Sequence, residues 1–140
     1  MGSRAPRFKF SPPWILFSSA TRAMALQRIL IKTHHMTSPT KRLDCSVLLK
    51  VGANPGIMLC EGQQNHASEW ETVVRKLRYK DMRLLKRESI SEFHLATLGV
   101  REGEVKEMEE VKDFAKFLEK DPRLFHSWRV GMGYVKDDGE

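Results

Sequence analysis

The side chains able to do chemistry in this 140-residue chain are few and poorly spaced for it. His34 and His35 are adjacent, and adjacent residues of an extended segment point to opposite faces, so they cannot grip one ion as an i, i+4 helical pair would. His66, His94 and His126 are scattered. No metal centre is expected, and His35 reads as a packed, hydrogen-bonded residue on a core face. Cys45 and Cys60 stand in apolar runs, where a thiol stays protonated and inert. They make no Cys-x-x-Cys pair, which fits a reducing, intracellular setting in nucleus or cytoplasm. Neither a Gly-x-Ser-x-Gly turn nor a glycine-rich phosphate loop occurs, and Gly131-Met132-Gly133 lacks the further glycine and the preceding strand of a dinucleotide loop. These residues predict a non-enzymatic protein without a cofactor. Glu61, which ends an apolar run ahead of Gly62, is expected to serve the structure by accepting hydrogen bonds from backbone amides or an arginine.

What remains is charge. The formal net charge is +6, unevenly spread: residues 1–43 hold eight Lys or Arg and no acid, residues 75–87 hold seven bases and only Asp81, and residues 102–121 hold eight acids against four bases. Clustered cations suit phosphates, which attract Lys and Arg whatever the base sequence. The candidate RNA-contacting residues are Arg28, Lys32 and His34 on one side of a first strand, Lys41 and Arg42 at the opening of a first helix, and Arg75, Arg78 and Arg83 beyond. Stacking aromatics are absent from that strand, so backbone contact is expected over base reading. The competing reading is a protein–protein interaction module that meets its partner through the acidic residues 104–121 or through Phe125 and Trp128. No run approaches the ~18 apolar residues of a membrane span, so a membrane is not an expected partner.

The elements that must position these residues follow from periodicity. Residues 1–25 are rich in Arg, Ser and Pro and acid-free, and read as a poorly ordered basic arm; a mitochondrial presequence is the minority reading, since Pro12-Pro13 breaks an amphipathic helix early. Residues 26–36 read as a strand with Ile29, Ile31 and Thr33 on a core face and Arg28, Leu30, Lys32 and His34 on a basic face turned to solvent. Ser38 and Pro39 open a helix that runs to Val51 and buries Leu43, Val47 and Leu48 or Val51. After the Asn54-Pro55-Gly56 turn, residues 57–60 form a strand, and Asn65 caps a helix whose buried stripe is Trp70, Val73, Val74 and Leu77. Residues 82–86 resume as a strand, and residues 91–98 are a strand or an irregular crossing. Residues 104–119 are an amphipathic helix with Val105, Met108, Val111, Ala115 and Leu118 in one stripe, and Asp121 caps a last short helix from Pro122 to Arg129. Residues 136–140 form an acidic tail.

Strand, helix, strand, helix, strand, then further helices, is the order of an α+β ferredoxin-like sandwich, a βαββ-type unit spanning residues 26–135. The same residues carry a family resemblance. Lys32, His34-His35, Ser38 and Lys41-Arg42, then Asn54-Pro55-Gly56-Ile57 leading to Glu61-Gly62, then Trp70 and Arg75-Lys76-Leu77-Arg78-Tyr79 resemble the small nuclear ribonucleoprotein C-terminal domain, which RWD-domain-containing proteins share with a tri-snRNP pre-mRNA splicing factor. The resemblance covers roughly residues 26–87 and, more loosely, the helices beyond. Between Lys41-Arg42 and Pro55-Gly56 this chain is shorter than the family pattern, and only the basic arm stands where an RWD domain often precedes. The resemblance implies a ferredoxin-like fold and, for the splicing member, contact with small nuclear RNA. Binding to RNA or a ribonucleoprotein is therefore the leading expectation, with an RWD-associated interaction module as the alternative.

Overall fold

Along β1 (Leu26–Thr33) successive side chains leave opposite sides of the backbone, and both sides are apolar at the centre: Ile29 and Ile31 point one way, Leu30 the other, and all three are buried. That strand is near the middle of a five-stranded sheet. The computed structural model describes residues 25–34, 36 and 43–136. These form β1, β2 (Ser46–Lys50), β3 (Gly56–Gln63), α1 (Gln64–Lys76), β4 (Arg83–Ile90), α2 (His94–Thr97), β5 (Val105–Met108), α3 (Val111–Leu118) and α4 (Pro122–Met132). The sheet order is β4-β1-β3-β2-β5. β1 runs antiparallel to both β3 and β4, β2 antiparallel to β3, and β5 parallel to β2.

Each face of the sheet carries its own apolar layer. Ile29, Ile31, Val47, Leu49, Met58 and Cys60 pack under α1, which contributes Ala67, Trp70 and Val74. Leu30, Leu48, Ile57 and Leu59 pack under the later helices, which contribute Leu95, Phe114, Leu118, Leu124 and Trp128. Burying a Leu, Ile or Phe side chain contributes about 1.5–3 kcal/mol, and the two layers together enclose the sheet. Trp128 lies between Phe114 and Phe125, with ring centroids 5.6 and 6.0 Å away.

The α+β class holds, and several expected elements differ. Ser46–Lys50 is a strand, not the body of a helix, and all five of its residues are buried. It lies between β3 and β5 and is covered on both faces, so it lacks the polar alternation that marks a half-exposed strand. The proposed helix start at Ser38 and Pro39, with Lys41 and Arg42, lies outside the described residues, as do His35 and nearly all of the arm and the acidic tail. The stretch read as one helix over residues 104–119 begins as strand β5, and only Val111–Leu118 is helical. Residues 91–98 contain the short helix α2. α1 starts at Gln64 without a side-chain cap, so Asn65 is inside it, and its buried residues are Ala67, Trp70, Glu71 and Val74; Val73 is only half-buried, and Leu77 is 47% exposed. The last helix extends to Met132 and closes on Gly133 in the left-handed region (φ 84°), while Asp121 caps it as expected, accepting from the Arg123 and Leu124 amides.

Candidate nucleic-acid interface

The predicted basic residues divide between two ends of β1. At its start, Arg28 is 6% exposed and is not a surface residue. Register places it directly between Glu61 on β3 and Glu88 on β4, and its Nε and Nη1 donate to those carboxylates at 2.8 Å each. The face expected to meet solvent is roofed by α2 and α4, and polar groups from both complete the network. Glu61 Oε1 accepts from the backbone amides of His94 and Leu95 at 2.7 Å, which gives this carboxylate the structural role expected of it. Ser127 on α4 donates to Glu88 and accepts from Lys86 Nζ at 3.2 Å. Burial alone pushes the Glu88 carboxyl up; hydrogen bonds from Ser127 and Arg28 and the charges of Arg28 and Lys86 outweigh it and hold the group below the usual glutamate range. Nearby, His94 Nδ1 lies 2.7 Å from Asp121 Oδ2. Burial raises the Asp121 carboxyl as well, but bonds from His94 and the Leu124 and Arg123 amides bring it below its ordinary value.

At the other end of β1, Lys32, His34 and Arg83 converge on one cleft of about 460 Å³, together with Asn54, Asp81, Leu85 and Met132. Backbone pairing fixes this gathering. Lys32 and Arg83 are directly opposite across the β1–β4 ladder. The His34 amide donates to the Lys80 carbonyl at 2.9 Å, which holds the α1–β4 turn against β1, and the His34 carbonyl accepts from the Gly56 amide at 3.0 Å, which holds the β2–β3 turn there. Both Arg78 and Asp81 in the α1–β4 turn have φ 55°, and that turn is how the chain reverses from helix into β4. Asn54 precedes a cis peptide bond to Pro55.

Two cations facing each other across a ladder repel, a local cost that a bound anion removes. Among the described residues Asp81 is the only carboxylate lining the cleft. In the α1–β4 turn Arg78 and Lys80 are exposed, and α1, which covers the opposite face of the sheet, carries Arg75 and Lys76 in its last turn. Arg75 is tied to Glu71 by bonds of 3.0 and 2.7 Å, and Glu71 also accepts from Arg87, so these two arginines frame the helix end in fixed positions.

Of the eight predicted contacts, the cleft brings together Lys32, His34 and Arg83, and Arg75 and Arg78 are exposed at and just beyond the C-terminal end of α1. Arg28 is excluded by burial, and Lys41 and Arg42 lie outside the described residues. Asn54, Asp81 and Met132 were not expected there. The Asn54-Pro55-Gly56 turn was visible in sequence, but only the β1–β3 pairing shows that it closes beside His34. Elsewhere the Cys60 thiol is pushed well up by burial and by the adjacent Cys45. Among the described residues no group of three His, Cys, Asp or Glu is placed to hold a metal ion, and no helix is long and apolar enough to cross a membrane.

No protein-family model matches the sequence, and a search of curated proteins gives no match. The resemblance to the small nuclear ribonucleoprotein C-terminal domain therefore rests on its motifs alone.

Proposed function

We propose that the protein is a non-enzymatic RNA- or ribonucleoprotein-binding module that holds the phosphate backbone at the Lys32–Arg83 end of its sheet. The observation that carries this reading is the cross-strand pairing of Lys32 with Arg83 in one cleft with His34. Two cations brought face to face, with one carboxylate beside them, favour a polyanion over a neutral or acidic partner. Among the described residues the cleft offers Leu85 and Met132 and no aromatic stacking platform, which favours backbone contact over base reading. The motif resemblance points the same way.

The test is a salt titration of affinity for generic single-stranded and structured RNA, with the double variant Lys32→Gln and Arg83→Gln beside the wild type. Each phosphate contact contributes about 0.7 (single strand) to 0.9 (duplex) to the slope of log affinity against log salt, so the double variant should lower that slope by about 1.4 to 1.8 and weaken all sequences about equally. Glu109→Lys with Glu110→Lys, on the far side of the sheet, should leave the slope unchanged. If the wild type has no salt-sensitive RNA affinity at low ionic strength, or if the double variant keeps the full slope, the RNA reading fails and the interaction-module reading replaces it.

A further inference from the structure

Among the described residues the sheet has two open edges: β4 pairs only with β1, and β5 only with β2. An edge strand presents a row of unpaired N–H and C=O groups, a template on which another strand can add. Here the two edges carry opposite charge. Residues 78–87, leading into and along β4, hold five cations against Asp81, while residues 102–113, around β5, hold six carboxylates against Lys106 and Lys112. Both of those lysines are already engaged, Lys106 over the Phe117 ring at 5.5 Å and Lys112 with Glu110 at 3.4 Å, and on the basic side Arg87 is paired with Glu71 and Lys86 with Glu88 and Ser127, so the edge's positive charge rests on Arg78, Lys80 and Arg83. Glu107 on β5 and Arg83 on β4 are exposed.

The charges decide which pairing two copies can make. β4 against β4 sets cations against cations, and β5 against β5 sets carboxylates against carboxylates; like charges placed opposite each other across strands repel. β4 of one copy against β5 of another is the combination that attracts. We propose that the protein associates with further copies of itself head to tail, the basic β4 edge of one copy adding to the acidic β5 edge of the next. β5 has four residues, so the shared strand is about 13 Å long at ~3.3 Å per residue, and the contact is short, polar and sensitive to salt. Because the two contributing surfaces differ, the arrangement does not close on a dimer but continues into longer rings or open chains.

Sedimentation of the nuclease-treated full chain tests this without RNA. At an ionic strength of about 0.01 M, where charges act over ~30 Å, the average mass should climb with protein concentration from about 1 μM to about 1 mM without levelling at two copies, and should return to that of the monomer at about 1 M salt. Lys80→Glu with Arg83→Glu brings residues 78–87 from five cations and one carboxylate to three of each, and Glu107→Lys with Glu109→Lys brings residues 102–113 from six carboxylates and two lysines to four of each; either change removes the attraction between the edges, and each variant should be monomeric at low salt. A monomer throughout the low-salt range, a mass that stops at the dimer, association indifferent to salt, or undiminished association in either double variant would each overturn the proposal. The wild-type salt series decides by itself should a variant lose its cooperative thermal transition.

Discussion

Arg28 shows how far one side chain's role depends on distant parts of the chain. Its neighbours in sequence place it on the same side of β1 as Leu30 and Lys32, and that alternation is correct. Whether that side is wet depends on α2 and α4, more than sixty residues later in the sequence, and nothing local to Arg28 reports them. The consequence for mutation is large. Arg28→Gln leaves Glu61, whose side chain has no exposed surface, and Glu88 without their shared cation. Removing one partner of a buried ion pair costs about 3–5 kcal/mol, and urea denaturation should show a loss of that size rather than the near-zero change of a surface substitution. The same cluster sets the acid limb of stability. Glu88 and Asp121 both titrate below their ordinary values in the folded protein, so the stability they contribute is fully present above the unfolded values, near pH 4, and is lost as pH falls through the lower native ones. Asp121→Asn and Glu88→Gln should each flatten the decline of thermal stability between roughly pH 4 and pH 2.

At the scale of elements, β1, β3, β4, α1 and α4 were legible from the sequence, whereas β2 and β5 were read as helix. α1 and α3 alternate apolar and charged residues at helical spacing, and the start of α4 is marked by Asp121 and Pro122. β2 has Val47, Leu48 and Leu49 in succession with no polar interruption, so its period is invisible and a helix reads equally well. Two substitutions test the packing that results. Trp70→Ala removes the largest side chain that α1 places on the sheet, and should cost about 3–5 kcal/mol in equilibrium unfolding. Gly56 opens β3 where a methyl group would stand 2.2 Å from Thr33 Oγ1 and 2.8 Å from Met36 Cγ. Gly56→Ala should therefore destabilise by about 1–3 kcal/mol, the usual cost of overpacking, and lower the melting temperature accordingly.

For the molecule as a whole, the separation of charge was evident from residue counts, and the placement of Lys32, His34 and Arg83 at one end required the sheet order. Chain positions 32, 54, 83 and 132 meet there only because β4 returns beside β1 and α4 ends over the same corner. The layered architecture also divides the backbone by how readily it meets water. β3 lies between β1 and β2, beneath helices on both faces, and seven of its eight residues are buried. Its amide protons have no partial opening through which to reach solvent, so their exchange with deuterium should follow the unfolding of the entire domain, whereas the four-residue β5 at the margin should exchange through small local openings and orders of magnitude sooner.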